Sequence, residues 1–486
     1  MTTDANWTRR GVLAAGVASL ATGPATAATS ADLRGDVAVL REAYGTLHPG
    51  LHRYLTPAKL ETGYSRLESA LLAAPDIGSS LLALNRFTAL IKCGHSQPNP
   101  FNQSDAVEAA VLKPRRLPFA FQWLAGEMVV TWSDPAARLA VGTRVVEVDG
   151  RSTARVLRQL LPLARADGSN TAKRIAQMGV TGVERFETFD IAYALLFGAP
   201  GEQVRLMAIP PGEQGPRRLE VATLPGGGTR LPVADDRSDA PLWTVDRLPD
   251  GVLKLTMPTW ALFNSKWDWE AFLVATLDEA ADARCLIVDV RGNEGGNDCG
   301  DAILRRLVRQ DTRPLAYRRV TRYRRTPAAL NPFLETWDRS FRDWGEDAVG
   351  PGPDGYYTLK DEPDDVRAVI RPGGKPIRGR VYVLTDAVCS SATFQFAQVI
   401  KDTGVATLAG APTGGNRRGI NGGAFFFLRL PASGLEVDLP LIGRFPETPQ
   451  PDAGIVPDVI VPTTAGNIAS ARDPVLARVL AESARV

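Results

Sequence analysis

The sequence predicts a mixed α/β, multidomain protein: an N-terminal helical region, a β-rich middle and an α/β core with crossover βαβ units. Three observations predict it. At 486 residues the chain is too long for one simple core. Apolar residues recur at helical spacing in the first part of the chain, while Lys113 to about Leu224 is rich in short alternating runs. Farther on, buried-type strands alternate with helical patterns, which is the order of a partly parallel sheet.

Hydrophobic residues at 44% and charged residues at 23% are ordinary for a globular chain. A net charge of +2 excludes a strong electrostatic case for nucleic acid or anionic membrane. Thr8-Arg9-Arg10-Gly11 precedes a short Ala-rich apolar run, and Ala25-Thr26-Ala27 offers a small-x-small cleavage site. Residues 1–27 therefore resemble a twin-arginine export signal, too short in its apolar part to span a bilayer, and the expected location is periplasmic or secreted.

Residues 28–112 read as helical, with stripes at Leu33, Val37, Leu40, Ala43 and Leu47, then Leu60 to Leu71 and Leu81 to Ile91. His48 and His52 stand at a helical metal-pair spacing, but Pro49-Gly50 interrupts the helix and no further ligand is near, so they read as packing or turn residues. Ile91 to Ser96 ends a helix and enters a loop bearing His95. Residues 113–224 form the β-rich unit, whose Val141-Gly-Thr-Arg-Val-Val-Glu-Val-Asp-Gly150 resembles the strand–turn–strand of PDZ modules, without a clear carboxylate-binding loop ahead of it. Residues 225–240, with three consecutive glycines, read as a linker.

The core is expected over 241–465, with residues 318–380 an insertion that is either a lid or a solvated arginine-rich face, and 466–486 a C-terminal helix. Within the core, Cys285-Leu-Ile-Val-Asp-Val290 reads as a buried strand running into Arg291-Gly-Asn-Glu-Gly-Gly296. A glycine pair there lets backbone N–H groups approach a ligand, or makes an ordinary turn. Val381-Tyr-Val-Leu-Thr385 reads as another strand, and a helical pattern begins near Ala392. Ser391 thus sits where a strand turns into a helix: a nucleophile beside unpaired N–H groups, or an N-cap. The four cysteines, Cys93, Cys285, Cys299 and Cys389, either pair, as export permits, or stay buried and free.

Laid together, LIVDVRGNEGG, VYVLTDAVCSSATFQFAQVIKD, LAGAPTGG and the closing GIVPDVIV resemble, in order and spacing, the core motifs of the C-terminal-processing (tail-specific) serine peptidases. The resemblance spans about Gly251 to Val461 and implies peptide or protein substrates, no cofactor and no metal. It implies Ser391 as nucleophile, with an oxyanion hole from the N–H of Ala392 and the glycine pair, Gly295 ahead of Gly296. Phe394 replaces the family's glutamate. Where serine–lysine members carry their base, this chain has Asn416, Arg417 and Arg418, none able to take a proton near neutrality. Lys401 lies about ten residues along the nucleophile's own helix, ~15 Å away. The family's tricorn-like branch uses a histidine from an early loop, and Cys93-Gly94-His95-Ser96 resembles that loop. His95 is then the implied general base, with Glu447 as the third member of the triad and Asp452 as the alternative acid. A catalytically inactive carrier on the same scaffold is the rival expectation. No zinc-protease motif, P-loop or Gly-x-Ser-x-Gly elbow is present to support another hydrolase class. Oligomeric state is not legible.

Overall fold

The computed structural model describes residues 29–233, 237–360 and 365–484, so the expected export signal lies outside the described residues. Helix α1 (Ser30–Leu47) starts at Thr29, whose side chain and that of Asp32 cap each other's backbone N–H. Thr56 caps α2 (Pro57–Leu72), with Pro57 at the first position, where its missing N–H costs nothing. Asp76 caps α3 (Ile77–Ile91), which ends at Lys92 in the left-handed region (φ 59°). The chain then turns into the His95 loop.

A six-stranded antiparallel sheet follows: β1 (Phe119–Leu124), β2 (Glu127–Ser133), β3 (Arg144–Val148), β4 (Arg151–Ser152), β5 (Gln203–Ile209) and β6 (Arg217–Ala222). Between β4 and β5 run α4 (Thr153–Leu160), α5 (Thr171–Gln177) and α6 (Thr188–Phe197). Val156 and Leu160 of α4, together with Phe189 and Tyr193 of α6, close the core of this unit.

The rest of the chain weaves two sheets. One has the order β18-β15-β14-β9-β8-β7, with β7 (Thr244–Leu248), β8 (Val252–Thr256), β9 (Cys285–Asp289), β14 (Arg380–Thr385), β15 (Thr407–Gly410) and β18 (Val459–Ile460). All neighbours pair parallel except β7 with β8. Helices α7 (Trp269–Ala280), α8 (Gly300–Leu307), α9 (Ser391–Thr403) and α10 (Pro474–Ser483) cover it. All five residues of β9 are buried because both faces are covered. Leu286 and Val288 pack with Leu277, Ala397 and Ile400, while Cys285 and Ile287 face Val475 and Val479 of α10. This is the mixed α/β core the sequence predicts.

The other sheet is antiparallel, in the order β11-β16-β17-β10-β13-β12: β10 (Tyr317–Thr321), β11 (Leu334–Glu335), β12 (Ala348–Val349), β13 (Tyr357–Leu359), β16 (Asn421–Arg429) and β17 (Glu436–Pro446). The 318–380 segment therefore contributes short strands to this sheet, with β10 paired to β17 and Leu330, Leu334, Ala348 and Leu359 in the core. Helices α1–α3 pack on this sheet, Leu40, Leu47 and Phe87 sharing a core with Phe426, Leu439 and Leu441. That packing carries the His95 loop across to the α/β core. All four cysteines are free and buried.

Candidate active site

Two loops leave the C-terminal ends of neighbouring parallel strands, β9 and β14, whose Asp289 and Leu384 are paired. Ligands of open α/β sheets bind at such strand ends. The first loop, 290–297, carries the glycine pair, and the second, 386–390, delivers Ser391. Asn293, fully buried, ties them together. Its Oδ1 accepts from Gly295 N–H (2.8 Å) and Thr393 Oγ1 (2.9 Å), its Nδ2 donates to Met257 O (2.8 Å), and its carbonyl accepts from Ser390 N–H (3.4 Å).

Ser391 opens α9 with φ 50°, a left-handed conformation that costs a non-glycine residue about 1–3 kcal/mol and clusters at functional sites. The preceding Ser390 is extended, and no side chain caps the helix. The N–H of Ala392 therefore has no partner within the helix. A Cβ built on Gly295 would lie 2.8 Å from both Ala392 N and Ser391 Cβ, and one on Gly296 only 2.1 Å from Trp260 O. Glycine is required at both positions, which also have positive φ. Gly295 N–H is already engaged by Asn293. Among the described residues no hydrogen bond engages Gly296 N–H, so Gly296, rather than Gly295, is the glycine with a donor to offer.

His95 Nε2 lies 3.3 Å from Ser391 Oγ. Its loop is fixed from four sides. Arg165 donates to Gly94 O (2.7 Å), Gly94 N–H donates to Asp167 Oδ1 (2.9 Å), His48 Nε2 bonds Ser96 Oγ (3.1 Å), and Asn99 and Asn102 both donate to Asp438 on β17 (2.9 Å each). Burial, Arg165 and Lys173 lower the imidazole from its usual 6.5 to about 4 against the opposing pull of Glu294. The ring is therefore neutral near pH 7, and Nε2 is able to accept a proton.

Neither expected acid meets this ring, whose buried Nδ1 has no hydrogen-bond partner among the described residues. Glu447 is exposed at the end of β17, its N–H donating to Ala316 O. Asp452 Oδ1 instead accepts from Asn416 Nδ2 (2.7 Å) and Ser169 N–H (2.8 Å). The structure thus brings together Ser391, Ala392, the two glycines and His95, and leaves Glu447 and Asp452 apart from His95. Asn416, fully buried, is a tie between Asp452 and Asp167 O (3.2 Å), while Lys401 pairs with Asp458.

Sequence reasoning missed Lys173 and Asn293. Lys173, on α5 of the first sheet unit, is 3% exposed and donates to Val388 O (2.9 Å) and Ser390 Oγ (3.3 Å), besides pairing with Glu294. Nothing local marks a lysine in the sequence TAKRIAQ. Asn293 had a signal, an asparagine just ahead of a glycine pair after a buried strand. Lys173 lines one cleft of about 870 Å³ with His95 and Ser391, and Asn293 lies buried behind it. Among the described residues no cluster of His, Cys, Asp or Glu is arranged to hold a metal ion, and no helix is long and apolar enough to cross a membrane.

Residues 251–437 match the family model of peptidase family S41. They are an S41 peptidase domain. The family is one of serine peptidases acting on peptides or proteins. The S41 match contains Ser391, Ala392 and both glycines, while His95, Glu447 and Asp452 fall outside it. No curated protein matches the sequence. Among solved structures, mature CPAF complexed with lactacystin is similar at a TM-score of 0.64 and 15% identity, over 93% of this chain and 97% of that one. Mature CPAF gives 0.60 at 15% identity, over 90% and 94%. At this identity the S41 domain and the units around it share a fold with CPAF, and the likeness reaches no further.

Proposed function

We propose that the protein is an exported serine endopeptidase of the tricorn-like type, with Ser391 as nucleophile and His95 as its general base. The 3.3 Å contact between His95 Nε2 and Ser391 Oγ carries this reading. Ser391 Oγ attacks the scissile carbonyl carbon while its proton passes to Nε2. The developing oxyanion is stabilised by the N–H of Ala392 and of Gly296, at the start of a helix whose dipole favours negative charge. His95 then donates the proton to the leaving amine nitrogen, the C–N bond breaks, and an acyl-Ser391 remains. Water, deprotonated by His95, releases the second product. The pair works as a dyad: Arg165, His48 and Asp438, which hold the loop, do the orienting that a third residue provides elsewhere. The β-rich unit at 113–224 is proposed as PDZ-like, and the unit at 28–112 as the carrier of the base. Export rests on the twin-arginine pattern at Arg9-Arg10.

A fluorophosphonate probe tests the assignment. Wild type is expected to be labelled covalently, Ser391→Ala not at all, and His95→Ala at a strongly reduced rate. Unchanged labelling of Ser391→Ala would refute it, and an unlabelled wild type would favour the carrier reading.

A further inference from the structure

Strand β16 carries three successive phenylalanines that alternate in facing. Ala424, Phe426 and Leu428 point into the helix-covered core, each 0% exposed, and Phe425 and Phe427 line the cleft. The register of β16 against β17 shifts between Gly422 and Phe425, and Gly423 there has φ 75°. Such bulges re-aim side chains beside active sites. This one delivers the Phe425 ring to 5.7 Å from the His95 ring. Trp337, from the 318–380 segment, lies 5.9 Å from both Phe425 and Phe427 and lines the same cleft. Phe425 and Trp337 are half-buried, so an aromatic shelf faces the cleft directly beyond the imidazole.

We propose that Trp337, Phe425 and Phe427 form the subsite for the residue just after the scissile bond, and that the substrates are peptides with a large apolar side chain there. The proposal rests on the Ser391–His95 reading. For His95 to protonate the leaving nitrogen, that nitrogen must come within hydrogen-bond reach of Nε2. Its own side chain then passes over the far side of the ring, where the shelf stands. A few polar groups set in an otherwise apolar wall are the usual make-up of a specificity pocket.

A peptide-library digest by the full chain, read by mass spectrometry, tests this alongside fluorophosphonate labelling. Phe, Leu, Tyr and Met are expected roughly 10-fold enriched over Asp and Ser immediately after the cut. Trp337→Ala is expected to keep its labelling rate within about 2-fold yet lose roughly 10-fold in kcat/KM on a peptide with Phe after the cut, and little on one with Ala there. Trp337→Glu should shift the preference toward Lys and Arg. A flat profile after the cut, an apolar preference only before it, or equal losses on both peptides would overturn the shelf while labelling stands. An unlabelled wild type would overturn the nucleophile assignment and the shelf with it. Should Trp337→Ala lose labelling through misfolding, Phe425→Leu, which keeps the strand apolar, carries the same comparison.

Discussion

His95 Nε2 and Ser391 Oγ lie 3.3 Å apart although 296 positions separate them in the chain. The loop from the N-terminal helices reaches Ser391 because those helices pack on β16 and β17, and Asp438 of β17 fixes the loop through Asn99 and Asn102.

The pH profile follows from the imidazole's surroundings. Arg165 and Lys173 face it as cations, Glu294 as an anion, and Phe425 as an apolar ring. A base must be neutral, so kcat/KM should hold as pH falls through 6 and drop through about pH 4. An acid limb near pH 6.5, the ordinary imidazole value, would contradict the buried ring. The same shift acts on stability. His95 and His48, lowered to about 4 and about 3 chiefly by burial, take up protons in the unfolded chain near pH 6.5 but not in the fold. Their contribution is constant above pH 6.5 and falls as pH drops below it, which denaturant titrations at pH 7.5 and 5 will measure.

Lys173→Met removes a cation that lowers His95 and the donor to Val388 O and Ser390 Oγ. The acid limb should therefore move upward, and kcat should fall. Loss of charged hydrogen bonds in a buried place is expected to cost about 1.5–3 kcal/mol in denaturant unfolding. A fall in stability with an unmoved limb would make Lys173 a packing residue alone.

Gly295→Ala places a methyl group 2.8 Å from Ser391 Cβ and Ala392 N. The nucleophile and its neighbouring donor must shift, and loss of one oxyanion donor typically lowers kcat by about 10²–10³. Gly296→Ala meets the Trp260 carbonyl at 2.1 Å, so it should also lower the unfolding midpoint. Near-normal turnover in Gly295→Ala would exclude this loop from the reacting centre.

Glu447→Gln should leave kcat/KM within about 2-fold, since the carboxylate is exposed and makes no bond to His95. Asp452→Asn should act on stability instead, because its oxygen accepts from Asn416 and from the Ser169 N–H. A loss of about 10³-fold or more in Glu447→Gln, comparable to deleting a triad member, would reinstate it.

What was written locally was readable. The buried strands ending at Asp289 and Thr385, the glycine pair after one and the serine after the other each follow from apolar runs meeting turn residues. The interruption at Pro49-Gly50 likewise kept His48 and His52 from a helical pair. The partner of Nδ1 was not readable, because Glu447 stands close to the core in sequence yet its turn faces water. Nor was Lys173, whose importance depends on α5 of one sheet unit resting against the nucleophile turn of another.

The sequence by itself determined the elements, since strand, turn and helix preferences are short-range, and it offered Ser391 and His95 as candidate reactive groups. Which of those groups meet was decided by the tertiary structure. Side-chain contact depends on how the helices, the bulged β16 and the two sheets bury their apolar faces against one another, and that packing has no signature in any single segment.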